Sequence, residues 1–326
     1  MSRDAGRPAV AATNGANASS ARPSVAIVVP ALNEARNLPH VFAKLPPVDE
    51  LILVDGGSSD DTVAVARWLR PEVRVVRQNR KGKGNALACG FAAATADIIV
   101  MIDADGSTDP AEIPRFIASL RAGADFVKGS RFLADGGSAD ITRSRSIGNH
   151  ALNMLVNILH GTRYTDLCYG YNAFWRHCLP VFGLDATTPR PAGDGRLWGD
   201  GFEIETLLTL RVARAGLQVA EVPSYEHRRI HGESNLNAVK DGLRVLRTIA
   251  REYIKRRRPA AVIKRGTWAG NHPVGIHATG AEGTRPDQLR PGRPVSARPG
   301  PVRPGPARPG TPGRPTEPAR SEKVSS

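Results

Sequence analysis

Four short apolar runs, each stopped by a polar turn, constrain this chain more than any other feature. Val25–Val29 ends at Pro30, Leu51–Val54 at Asp55-Gly56-Gly57, and Ile98–Ile102 at Asp103; Val73–Val76 is the fourth. Runs that read continuously apolar belong to strands covered on both faces, which is the pattern of a parallel sheet. Helical stretches separate them, at about 36–45, 60–69, 84–94 and 110–120. Asp60-Asp61-Thr62 and Thr108-Asp109-Pro110 are helix-start signals, with Pro110 near the first helical position. The order predicts an α/β fold with a doubly wound, mostly parallel sheet, whose ligands sit at the carboxyl ends of the strands. Further on, 125–128 and 217–222 read as strands and 147–159, 202–215 and 238–254 as helices.

Charge divides the 326 residues into three parts. The net charge of +14 suggests a nucleic-acid binder, but residues 255–326 hold 15 Lys+Arg against 4 Asp+Glu. Residues 24–254 are left at +1. A nearly neutral folded region argues against dedicated nucleic-acid binding. The tail from Pro259 onward also holds 13 of the 26 prolines, in repeated Arg-Pro-Gly units. Such composition buries too little apolar surface to offset chain entropy. The expected organisation is a disordered segment over 1–23, one domain over 24–257 and a disordered Arg/Pro/Gly-rich tail over 258–326. Residues 1–23 lack the apolar core of a signal peptide. No uninterrupted apolar run reaches membrane-spanning length. The expected location is cytoplasmic, with peripheral contact to the inner membrane face through the basic tail. Cys89, Cys168 and Cys178 are an odd set with no CxxC spacing, read as buried small side chains in a reducing compartment.

The turns after the strands carry the chemistry. Met101-Ile-Asp103-Ala-Asp105-Gly106 puts two carboxylates at i and i+2 where a buried strand ends. In extended chain these share a side. Two anions so close need a cation or a proton between them, and Mg²⁺ or Mn²⁺ would also neutralise a diphosphate. Solvated turn carboxylates are the plainer explanation for such a pair. Asp55 precedes a Gly-rich turn and suits a base N–H. Pro30-Ala31-Leu32-Asn33-Glu34 forms a polar loop after the first strand. Arg80-Lys81-Gly82-Lys83-Gly84-Asn85 precedes a helix, where backbone N–H groups and lysines suit an anion.

All four segments sit at the ends of consecutive strands, where one nucleotide would lie. Together, PALNE, VDGGSSDDT, GKGNAL and DADGSTDP resemble the family 2 glycosyltransferases of the GT-A fold. KGSRF (128–132), DLCYGYNAF (166–174) and HRRIHGESNLN (227–237) resemble the dolichol/polyprenyl-phosphate sugar transferase branch. The resemblance spans about residues 24–255. It implies that Asp55 contacts the base, that Pro30, Ala31 and Glu34 line base and ribose, and that Lys83 lies at the donor. It also implies that Asp103 and Asp105 hold the metal and sugar-diphosphate, that Arg131 faces phosphate, and that Arg143 and Arg145 clamp an acceptor phosphate. His227 and His231 are candidate third metal ligands, with surface hydrogen bonding as the ordinary alternative. Three positions depart from the pattern: Gly56 replaces a second Asp, Ser107 a Gln, and Asn235 a Lys.

The implied reaction is inverting transfer from a UDP-, GDP- or dTDP-linked sugar with a divalent cation, Mg²⁺ or Mn²⁺. A lipid-phosphate acceptor is already anionic. A soluble hydroxyl acceptor instead needs a carboxylate to take its proton, and Asp166, Asp200 and Glu203 are the candidates. A nucleotidylyltransferase or a hydride-transfer enzyme would open on a Gly-rich loop after the first strand, where this chain has Pro30–Glu34. The remaining rival is an adaptor that binds membrane or nucleic acid through the tail.

Overall fold

The computed structural model describes residues 22–189, 196–232 and 238–256. The expected disordered ends, apart from Arg22 and Pro23, and the Gly232–Asn235 motif beyond Gly232 lie outside the described residues. The chain alternates β1 (Val25–Ala31), α1 (Leu38–Phe42), β2 (Glu50–Asp55), α2 (Thr62–Leu69), β3 (Arg74–Arg77), α3 (Lys83–Ala93), β4 (Ile98–Met101), α4 (Ile113–Arg121) and β5 (Phe126–Ser130). There follow β6 (Gly137–Ser138), α5 (Arg143–His160), β7 (Asn172–Trp175), α6 (Leu179–Phe182), α7 (Ile204–Arg214), β8 (Val219–Pro223), β9 (Tyr225–Glu226) and α8 (Ala238–Arg256).

Seven strands form one sheet in the order β3-β2-β1-β4-β7-β5-β8, and β6 pairs with β9 in a small second sheet. All the main-sheet pairings are parallel except those of β7, which runs antiparallel to β4 and β5. The expected mostly parallel, doubly wound sheet is therefore present. β7 lies inside a segment expected only to carry a motif, and the β6–β9 pair was not expected.

Period-two alternation separates two cores. Val25, Ile27, Val29 and Leu53 face Leu38, Phe42, Ile113 and Phe116 from α1 and α4. Ala26, Val28, Ile52 and Val54 face Leu87 and Phe91 of α3 and Ile204, Leu207 and Leu208 of α7. Strands buried on both faces must be apolar at every position, which accounts for the continuous runs. A third cluster joins α5, α7 and α8 through Val156, Leu210, Val245 and Ile249. Among the described residues no helix is long and apolar enough to cross a membrane.

Helix starts follow local chemistry. Asp109 accepts the Ala111 N–H (3.1 Å) and caps the turn that leads into α4. Asp60, rather than Asp61, accepts the Thr62 N–H at the start of α2 (3.0 Å). Parallel pairing brings Ala31 and Asp55 into register and so aligns the loops after β1 and β2.

Candidate active site

The loops after β1 and β2 are fastened to each other. Asp55 is buried at the end of β2, and its Oδ1 accepts the Ser58 N–H (3.0 Å). The Asn33 side chain accepts the Ser59 N–H (2.8 Å), and the Glu34 N–H donates to Thr62 Oγ1 (2.8 Å). Glu34 is itself buried. Its Oε1 meets Arg229 Nη1 at 3.0 Å, and its Oε2 accepts from Asn37 Nδ2. Burial raises the Glu34 pKa, against the opposing pull of Asn37 and Arg229.

Each carboxylate after β4 meets a cation from a different element. Lys83 Nζ, at the start of α3, lies 2.7 Å from Asp103 Oδ1 and 2.8 Å from Glu205 Oε1 on α7. Burial works against the Lys83 ammonium, but the two carboxylates outweigh it and raise its pKa. Burial raises the pKa of Glu205, opposed by Lys83. Asp105 Oδ2 lies 2.8 Å from Arg229 Nη2, so Arg229 bridges the loops after β1 and β4. The backbone of 227–230 runs along the same turn: His227 N–H donates to Ser107 O (2.8 Å) and Ile230 N–H to Asp105 O (3.2 Å).

Gly170 closes this cluster. A Cβ there would lie 2.8 Å from Lys83 Nζ, 3.2 Å from Glu205 Oε1 and 3.3 Å from Asp103 Oδ2. The DLCYGYNAF segment thus carries the one residue small enough to pass against these three side chains.

The Gly-rich loop before α3 is locked in place by close approach. Gly82 has φ +121°, and a Cβ at Gly84 would sit 1.8 Å from Gly199 O. The Gly84 N–H donates to Asp200 O (2.9 Å). Buried Arg80 holds Asp200 with two parallel bonds, Nε to Oδ2 (2.8 Å) and Nη2 to Oδ1 (2.9 Å). Glu203 Oε1 accepts the N–H groups of Gly199 (3.1 Å) and Gly201 (3.3 Å). Asp200 and Glu203 therefore brace the 197–203 turn that supports the loop; Arg80 occupies both oxygens of Asp200, while the second oxygen of Glu203, Oε2, is buried without a hydrogen-bond partner among the described residues.

Asp166 is fully buried under Arg131. It accepts from Arg131 Nε (2.7 Å), Nη2 (2.9 Å) and backbone N–H (3.1 Å), and from Asn149 Nδ2 (2.9 Å). The third guanidinium nitrogen, Nη1, meets Glu226 at 2.9 Å, and the Arg131 guanidinium stacks over Tyr169 (4.8 Å). Burial disfavours the Arg131 cation, but Asp166 and Glu226 raise its pKa overall. Arg131 is thus engaged by protein carboxylates, where a phosphate contact was expected.

The remaining candidates are scattered. Arg143 and Arg145 open α5 at the surface, and Arg145 makes an exposed ion pair with Asp140 (3.3 Å). The His227 ring lies against Tyr225 (5.0 Å) and the His231 ring against His40 (5.8 Å). Among the described residues no group of three or more His, Cys, Asp or Glu converges as a metal cage. Asp103 and Asp105 still supply hard oxygen donors just beyond the carboxyl end of β4. That set fits a Mg²⁺-like ion completed by substrate phosphate and water.

Glu205, Glu226 and Gly170 escaped sequence reasoning. A signal existed for Glu205, a carboxylate set among the apolar residues Ile204, Leu207 and Leu208 in the first turns of α7. For Glu226 and Gly170 only the tertiary fold brings the partners close.

The chain and its fold have counterparts among known proteins. The glycosyl transferase family 2 profile matches residues 26–178. The undecaprenyl-phosphate mannosyltransferase of Micrococcus luteus is 31% identical over 223 residues, covering 65% of this chain and 87% of that protein. The polyprenol monophosphomannose synthase of Mycolicibacterium smegmatis is 31% identical over 208 residues, covering 60% and 75%. Among solved structures, glucosyl-3-phosphoglycerate synthase of Mycobacterium tuberculosis, in complex with Mn²⁺, UDP and glucosyl-3-phosphoglycerate, superposes with a TM-score of 0.54. It is 25% identical and covers 71% of this chain and 80% of that one.

Proposed function

The chain belongs to the family 2 glycosyltransferases, and from that premise we propose that it transfers a sugar from a nucleotide-diphosphate donor to a polyprenyl phosphate. The observation that carries the donor half is the convergence of Glu34, Asp55, Lys83, Asp103 and Asp105 at the ends of β1, β2 and β4 and the start of α3. Asp55 faces the base, and Glu34 with Pro30 and Ala31 lines the ribose. Asp103 and Asp105 would hold a divalent cation, which supplies charge neutralisation for the diphosphate when bound.

The protein's own part is electrostatic. The bond between the anomeric carbon and the diphosphate breaks as an acceptor phosphate oxygen attacks from the opposite face, with inversion. Charge grows on the departing nucleoside diphosphate. Lys83 is a fixed cation beside Asp103, preorganised by Glu205 rather than recruited during the reaction. The acceptor half rests on the lipid-phosphate relatives and on the carboxylates. Asp166 and Asp200 lie in buried bidentate arginine pairs, and Glu203 is tied to backbone N–H groups. The two arginine-paired carboxylates have both oxygens engaged and are poorly disposed to take a proton from a hydroxyl. A phosphate acceptor needs no base.

The test is a thermal-shift panel of UDP-, GDP- and dTDP-sugars, with and without Mn²⁺, followed by transfer to a polyprenyl phosphate. The expected result is stabilisation by one nucleotide sugar that depends on Mn²⁺ and is lost in Asp103→Ala/Asp105→Ala. Transfer of the sugar to the lipid phosphate follows. Stabilisation without lipid transfer, together with transfer to a soluble hydroxyl compound, would overturn the acceptor assignment.

A further inference from the structure

Both oxygens of Asp105 are already engaged. Oδ1 accepts the Ser107 N–H of its own turn (2.9 Å), and Oδ2 meets Arg229 Nη2 (2.8 Å). The other arm of the same guanidinium, Nη1, meets Glu34 Oε1 (3.0 Å). One arginine thus neutralises a carboxylate from the loop after β1 and another from the loop after β4. Two anions brought this close need a cation between them, and here the protein supplies its own. A divalent cation drawn to Asp105 Oδ2 would stand against the guanidinium, and that like-charge contact lowers its affinity.

The two cations of the site are held differently. Lys83 Nζ is enclosed between Asp103 and Glu205, and Gly170 packs against all three. Arg229 stands on the turn that follows β9, outside any helix or strand. That turn is fastened through its backbone: His227 N–H to Ser107 O (2.8 Å), Ile230 N–H to Asp105 O (3.2 Å) and Asn37 Nδ2 to His231 O (3.1 Å). Ile230, 42% exposed, covers Gly106, where a Cβ would come within 2.5 Å of its Cδ1. The Arg229 side chain can therefore swing off both carboxylates while these backbone bonds stay made. Lys83 is the fixed cation and Arg229 the exchangeable one.

We propose that Arg229 is a built-in counter-ion that competes with the divalent cation for Asp105 and so holds free cation off the site. The proposal rests on the reading of Asp103 and Asp105 as the cation carboxylates. It makes a demand that a purely structural tie does not: removing the arginine must strengthen ion binding while it weakens the fold.

The test uses the full chain with Mn²⁺ alone as the probe. Unbound Mn²⁺ is followed by electron paramagnetic resonance as wild type, Arg229→Gln and Ile230→Ala are titrated. The expected result is a Kd for Mn²⁺ lowered about tenfold or more in Arg229→Gln, equivalent to about 1.4 kcal/mol. That gain should vanish in Arg229→Gln/Asp105→Asn. Melting reads the same exchange independently. Arg229→Gln should melt below wild type without Mn²⁺, because Glu34 and Asp105 then face each other, and saturating Mn²⁺ should raise its Tm by more than it raises the wild type's. Ile230→Ala loosens the turn without removing a charge and should bind Mn²⁺ severalfold tighter; it decides the question if Arg229→Gln does not fold. Unchanged or weaker Mn²⁺ binding in the deciding variant would overturn the proposal and leave Arg229 a structural tie. So would a gain that survives Asp105→Asn, which would put the ion elsewhere. If no variant binds Mn²⁺ and no nucleotide sugar gives the wild type a Mn²⁺-dependent thermal shift, the cation reading of the two aspartates itself fails. A Mn²⁺-dependent shift in the wild type with no gain in Arg229→Gln sinks this inference alone.

Discussion

Replacing Asp166 by Asn separates a structural carboxylate from a catalytic one. The Asp166 side chain is 0% exposed and Arg131 only 5%. Four N–H groups converge on its two oxygens. Removing one partner of a buried ion pair costs about 3–5 kcal/mol, because the other charge stays buried. Here Asn keeps one acceptor oxygen and Arg131 keeps Glu226, so the loss falls at the low end, about 3 kcal/mol. For a domain of this size each kcal/mol moves Tm by about 2–4 °C. Asp166→Asn should therefore melt about 6–12 °C below wild type. Below that transition, kcat should stay within a fewfold of wild type. Circular dichroism melting and initial-rate transfer assays on the same preparation measure both. A Tm within about 2 °C of wild type with kcat reduced about a hundredfold or more would refute the reasoning, since that is the signature of a lost general base. The double variant Arg131→Met/Asp166→Leu supplies a second check. Its destabilisation should be less than the sum of the single variants, because neither member of the fully buried pair is stranded and only the Glu226 carboxylate at its margin loses a cation.

Three other variants or treatments test the site and its supports. Gly170→Ala places a methyl 2.8 Å from Lys83 Nζ. The flexible end of Lys83 can yield, so Tm should barely move while the donor KM rises severalfold; a large stability loss with normal KM would contradict this. Gly84→Ala meets the Gly199 carbonyl, which is backbone and cannot swing aside. It should cost about 3 kcal/mol or more and abolish nucleotide-induced thermal shifts; a stable, nucleotide-binding variant would show the loop is not locked. The cysteines should resist alkylation in the native protein. Burial pushes Cys168 up to about 12 and raises Cys178 as well. Since only thiolate reacts, iodoacetamide labelling of these two at pH 8 should be at least about a hundredfold slower than in urea, as mass spectrometry would show.

The fold was legible where burial on both faces forced unbroken apolar runs, as in Ile27–Val29 and Ile52–Val54. β7 was not legible: Asn172–Trp175 is mixed in character, and its place between β4 and β5 is set by long-range pairing, as of Ile99 with Phe174 and of Phe126 with Phe174. Helix α1 is shorter than the expected 36–45, running Leu38–Phe42. That Glu34, Asp55, Asp103 and Asp105 lie near one another was legible because they end or closely follow neighbouring strands of one sheet. What the sequence concealed was partnership. Arg131 and Asp166 were both singled out, one for phosphate and one for chemistry. Only the fold shows them bonded to each other, as it does Arg80 and Asp200, 120 positions apart. Spacing reveals groups near one another along the chain and stays silent on pairs that topology assembles.

The placement of β7 also sets an order on biosynthesis. β4 and β5 do not touch in the sheet; β7 fits between them, and it emerges last of the three. At about 5–20 residues per second, the 74 residues added after Met101, up to Trp175, take about 4–15 s to translate. Throughout that interval the nascent chain carries β4, apolar at every position, with an unpaired edge, which is a template for wrong pairing. The family profile matches residues 26–178 and stops three residues after β7. With β7 in place β4 and β5 are both paired, and β8 is added at the outer side of β5, to a sheet that already has no gap.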